Sequence, residues 1–66
     1  MNIIYKNDEL IVSEIDSVEE MEEKVFSILD GFGIDKVTLK TNKNKKSFES
    51  FKNNFYKNYN GILKIE

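Results

Sequence analysis

The sequence predicts an α+β fold: a two-layer α/β sandwich with a four-stranded mixed sheet, element order β-β-α-β-α-β, and both helices on one face. Three observations carry that expectation. Between Ser17 and Phe32, the residues Val18, Met21, Val25, Ile28, Leu29 and Phe32 recur at steps of three and four, which places them on one helical stripe. Glu19, Glu20, Glu23, Ser27 and Asp30 fall on the opposite side. Short runs rich in β-branched residues flank that helix. Strand–helix–strand crossovers are right-handed, so two of them advancing in one direction lay both helices on the same side of the sheet.

In chain order, Asn2 to Lys6 and Glu9 to Ile15 read as strands joined by Asn7-Asp8. Both turn residues tolerate the left-handed conformation that a tight hairpin demands. In the second run Leu10 and Val12 share one face, and Ile11, Ser13 and Ile15 share the other. Two runs this short do not decide which face is inside. Asp16 and Ser17 both offer N-caps; with Ser17 as cap, Glu20 completes an S-x-x-E capping box. Glu20 and Lys24 form an i,i+4 pair in the favourable orientation. Gly31 or Gly33 ends the helix, and Asp30 sits where it opposes the helix dipole.

Ile34 to Lys40 reads as a third strand, with Val37 and Leu39 on one face and Lys36, Thr38 and Lys40 on the other. That alternation implies a sheet covered on one side and wet on the other. Thr41 to Lys46 is a polar loop. From Ser47 to Tyr59, the aromatics Phe48, Phe51, Phe55 and Tyr59 keep helical spacing, with Ser47 as the cap. Asn60-Gly61 before Ile62 to Ile65 is also a hairpin signal, but the spacing of four aromatics favours a helix that Asn60-Gly61 then terminates. Ile62 to Ile65 makes the last strand.

The 66 residues make a single small domain over positions 1–66, and a chain of this size buries only about 60% of its unfolded surface. With no Cys and no His, neither disulfides nor the usual zinc ligands can supply stability. The core must hold alone or with a partner subunit. Pro, Trp, Ala, Arg and Gln are also missing, while Lys, Asn, Ile and Phe are frequent, which points to an AT-rich bacterial or phage gene. No apolar run approaches the ~18 residues of a membrane span, and Met1 opens no signal pattern, so a cytoplasmic protein that does not enter membranes is expected.

The overall charge of −2 conceals a division along the chain. Residues 1–33 carry nine acids and two lysines, a net −7, whereas residues 34–66 carry three acids and eight lysines, a net +5. Polarity of this kind can mark a binding surface. Catalysis is not expected: the commonest general base and the thiol nucleophile are both missing. Gly31-Phe32-Gly33 follows a helix, whereas phosphate-binding loops lead into one. Glu19, Glu20, Glu22 and Glu23 diverge on a helix surface and do not build a calcium loop. No cofactor and no metal is expected.

The functional expectation is therefore a non-catalytic macromolecular interaction module, protein-binding and regulatory, of the kind phages and mobile elements use as inhibitors. Its candidate surface comprises Lys36, Lys40, Lys43, Lys45, Lys46 and Tyr56 on the basic side, with Glu19, Glu20 and Glu23 on the acidic side. The partner is another protein, and self-association into a small dimeric structural domain is an alternative that relieves a thin core. A second alternative is weak single-stranded nucleic-acid binding through residues 40–57, where lysines surround aromatics. Nucleic acid is disfavoured because the stripe aromatics are needed inside, only Tyr56 is free to stack, and no Arg is present to read bases. The open sheet face is expected to carry some of Ile3, Ile4, Tyr5, Ile11, Ile15, Ile34 and Ile62.

Overall fold

A computed structural model describes all residues, Met1–Glu66. Strands β1 (Asn2–Lys6) and β2 (Glu9–Ser13) lead into α1 (Val18–Phe32), then β3 (Lys36–Lys40), α2 (Glu49–Asn58) and β4 (Ile62–Ile65). A 3₁₀ turn over Lys45–Phe48 runs directly into α2. The sheet order is β1-β2-β3-β4; β1 is antiparallel to β2, and β2, β3 and β4 are mutually parallel. The mixed four-stranded sheet and the element order are those the sequence predicts.

Asn7 and Asp8 both take left-handed φ, 55° and 61°, which makes the two-residue hairpin loop whose twist matches that of its strands. The turn sets the register Lys6↔Glu9, Ile4↔Ile11 and Asn2↔Ser13. β2 is shorter than expected. Glu14 adopts φ 53°, which ends the strand and reverses the alternation. Ile15 is consequently turned into the core and does not share the outer face of Ile11 and Ser13.

α1 begins as predicted, with the Glu20 N–H donating to Ser17 Oγ at 3.2 Å, and Glu20 pairs with Lys24 at 3.5 Å. It ends at Gly33, whose φ of 67° lets its N–H reach the Leu29 carbonyl at 3.0 Å. Met21, Val25 and Leu29 are buried, while Val18 and Ile28 are half-buried. Phe32 departs from the predicted stripe and is 77% exposed. A 15-residue helix is ~22 Å long and a five-residue strand only ~17 Å, so the last turn of α1 overhangs the sheet. Phe26 lies off the predicted stripe, yet it stacks on Phe51 and Tyr59 with ring centres 5.1 and 5.7 Å apart. The second helix adds a side wall to the core that one helix's periodicity does not reveal.

Val37 and Leu39 are buried as expected, on the helix-covered face of a central strand. Ile34 precedes β3 and fills the core, so the strand starts two residues later than the apolar run suggests. Asn44, not Ser47, provides the cap before α2, its Oδ1 accepting from the Lys46 N–H at 2.9 Å. The 3₁₀ turn thus begins earlier than the aromatic spacing implies, and it delivers Phe48 into the core beside Phe51 and Phe55. α2 stops at Asn58 with Tyr59 extended, so Asn60-Gly61 is not itself the helix stop. Gly61 serves close packing instead. A Cβ there would overlap the Asp35 carbonyl oxygen and lie 2.8 Å from its carbon. That same carbonyl accepts the Ile62 N–H at 2.9 Å, the bond that joins β4 to β3.

Candidate interaction surfaces

Strand parity assigns the two faces of the sheet. Leu10, Val12, Val37 and Leu39 are buried and in register with Ile3, Tyr5, Leu63 and Ile65, so this set forms the helix-covered face. The opposite face carries Ile4, Ile11 and Ile62, with Lys6, Lys36, Lys40 and Lys64 around them. Ile4 and Ile62 are 51% and 53% exposed. Four lysines stand on this face against Glu9, whose carboxylate accepts the buried Thr38 hydroxyl at 2.8 Å, and Glu66, which follows β4 in the phase of Ile62 and Lys64. Of the apolar residues expected here, Ile4, Ile11 and Ile62 are present. Ile3 and Tyr5 point to the helix side of the edge strand, and Ile15 and Ile34 are inside the core.

The remaining predicted residues divide among three places. Lys45, Lys46 and Tyr56, joined by Glu49 and Lys52, line a groove of about 380 Å³ whose other wall is Leu63 and Ile65 of β4. Tyr56 is held there by an edge-on contact with Phe55, with ring centres 5.3 Å apart, and its hydroxyl donates to the Leu63 carbonyl at 3.5 Å. Lys43 lies with Lys40 at the carboxyl ends of the parallel strands, beside Glu14, Asp16 and Glu66, where the charges are mixed. Glu19, Glu20 and Glu23 are exposed on the outside of α1. Glu22 turns instead toward α2, where Asn54 Nδ2 donates to its Oε1 at 3.3 Å.

The basic and acidic candidates are therefore not one surface. Lys36 and Lys40 belong to the open sheet face; Lys45, Lys46 and Tyr56 belong to the groove; the glutamates form a separate outer face of α1. Lys6 and Lys64 on the sheet, and Leu63 in the groove, escape a reading of the sequence by segments, whereas Lys52 falls within the Lys-rich segment 40–57. The register set by Asn7-Asp8 is the one local signal that pairs Ile4 with Ile11.

No protein-family model, curated protein or solved structure matches this chain. Its chemistry is therefore read from its own side chains. No group of three or more Asp, Glu, His or Cys converges as a metal site would require. No helix is long and apolar enough to cross a membrane. The most perturbed titratable group is Tyr59, whose hydroxyl donates to Asp30 Oδ1. Burial first, and then that bond, push its phenol up to about 12. The pair gives a structural reason for Asp30 at a helix C-terminus: it ties the end of α1 to the residue that closes α2. Tyr5, bonded to Asp8 at the hairpin, is also raised, chiefly by that bond.

Proposed function

We propose that this chain is a non-catalytic docking module whose open sheet face receives an acidic, amphipathic surface of another protein. The observation that carries the reading is the composition of that face: exposed Ile4 pairs with half-buried Ile11, exposed Ile62 stands at the far edge beside Lys36, and Lys6, Lys40 and Lys64 bring the lysines to four. A two-layer fold leaves this side of the sheet without helices. Burying its isoleucines against a partner supplies the hydrophobic contribution, and the lysines select the partner's charge and speed the encounter. The phage- or mobile-element-type inhibitor is one form such a module takes.

Single-stranded nucleic acid is the rival. It is supported by the basic groove but weakened by burial of Phe48, Phe51 and Phe55, which leaves Tyr56 as the one exposed ring of the Lys-rich segment. The test is a photo-crosslinking side chain placed at Ile4, with Ser27 on the outer side of α1 as control. Acidic proteins trapped from position 4, absent from position 27, and lost when Lys6→Glu is added or the salt is raised, are the expected result. Equal trapping from both positions, or none from Ile4, overturns the reading. Sedimentation of the purified chain separates a second copy from a foreign partner.

A further inference from the structure

β4 is an edge strand, and its unpaired side faces the lysine groove. The N–H groups of Ile62 and Glu66 donate to the Asp35 and Leu39 carbonyls at 2.9 Å each, and the Thr41 N–H returns to the Glu66 carbonyl at 3.3 Å. Alternate residues of the strand therefore face β3. Leu63 and Ile65 are out of phase with them by one, so their N–H and C=O groups point away from the sheet. Tyr56 makes only a long contact with one of these groups, the Leu63 carbonyl at 3.5 Å.

We propose that the free edge of β4 is a docking strand for an extended acidic segment of a partner protein, which adds to the sheet as a fifth strand. The unpaired main-chain groups at Leu63 and Ile65 supply the hydrogen bonds, and their side chains offer an apolar floor. Charge decides the occupant. Lys45, Lys46 and Lys52 line the groove against one acid, Glu49, and Lys64 stands on the other side of the strand. Two copies joined through β4 would set these lysines against one another, so the charge that invites an acidic strand also opposes self-pairing. The hydroxyl of Tyr56 yields the Leu63 carbonyl to the incoming N–H and keeps its ring along the groove wall.

This edge is the one opposite Ile4 and shares with the open face only Lys64 and the strand that carries Ile62, so Ile4→Lys on one side and Lys45→Glu/Lys46→Glu on the other separate the two surfaces. The test follows amide signals of the isotope-labelled chain during titration with a short capped peptide of alternating Glu and Val. Controls are the Lys-for-Glu peptide and an oligothymidylate of similar length. The expected result is movement of the Leu63 and Ile65 amides and a slowing of their hydrogen exchange by about tenfold or more. Lys45→Glu/Lys46→Glu should weaken binding by about tenfold or more, while Ile4→Lys leaves it unchanged. N-methylating the peptide's alternate amides in one phase should abolish binding, and in the other phase should not. Silent Leu63 and Ile65 amides, equal binding of the Lys peptide, tighter binding of the oligothymidylate at the same amides, or β4 amides already protected in a dimer would each overturn the proposal.

Discussion

Gly61→Ala isolates one contact that shapes the parallel half of the sheet. The added Cβ would overlap the Asp35 carbonyl oxygen and lie 3.0 Å from the Asp35 Cβ, so the obstacle is backbone and cannot rotate away. Relief requires β4 to move off β3 at the point where the Ile62 N–H meets that carbonyl. Overpacking costs about 1–3 kcal/mol and the lost hydrogen bond about 1 kcal/mol, giving about 2–4 kcal/mol in all. A domain of this size has a total stability of roughly 3–10 kcal/mol, so the melting point should fall by roughly 10–25 °C. Urea unfolding followed by circular dichroism measures the change as a lower midpoint at constant slope. Gly33 provides the contrast, because it is required for its positive φ and has open space around it. Gly33→Ala should cost about 1 kcal/mol, and Gly33→Asn should cost less, since Asn tolerates the left-handed region. Gly61→Asn should be no better than Gly61→Ala. If Asn restores stability at position 61, or if Ala is harmless there, the close-approach explanation is wrong, since Gly61 has no left-handed φ to account for it otherwise.

Three further outcomes follow from burial and titration. Val25→Asp or Leu29→Asp should unfold the domain by burying an unpaired charge, whereas Glu23→Lys should leave its circular dichroism unchanged. Phe32→Ser should stay within about 0.5 kcal/mol of the parent despite its place on the apolar stripe, and a large loss would show that the overhanging turn is packed. Tyr59 should make stability fall at high pH. The folded chain holds the phenolic proton up to about 12, but the unfolded chain releases it near 10.0. The contribution is therefore complete below the unfolded value and is lost as pH rises toward the folded one. Tyr59→Phe should remove that part of the alkaline slope relative to the parent, and identical slopes in the two proteins would refute it.

The two rows of charge differ in how they arise. The −7 and +5 halves of the chain separate in part because α1 carries Glu19, Glu20 and Glu23 outward, while β3, β4 and the turn before α2 carry most of the lysines of the second half. Segregation along the sequence is kept in space on the outside of α1 and in the groove, and is lost at the carboxyl ends of the strands, where Lys40 and Lys43 lie beside Glu14, Asp16 and Glu66. It is divided, however, between an open sheet face and an edge groove that no linear segment delimits.

What the sequence determines by itself is local. The Ser17 cap, the Asn7-Asp8 turn, the Glu20–Lys24 pair and the three-four spacing of Phe48, Phe51 and Phe55 each act within a few residues and all appear in place, although the Glu20 carboxylate meets Lys24 and leaves the return bond of the capping box unmade. The order of elements and the handedness of crossovers then leave little freedom for the sheet. Tertiary structure decides where local patterns stop being enforced. Phe32 is exposed because a helix is longer than the strands it covers, and Phe26 is half-buried because a second helix lies alongside. Gly61 answers to a carbonyl twenty-six positions earlier in the chain. Which lysines share a surface is likewise settled by register and helix packing, since neighbours on a strand point to opposite faces and only the assembled sheet brings Lys36 and Lys64 to one of them.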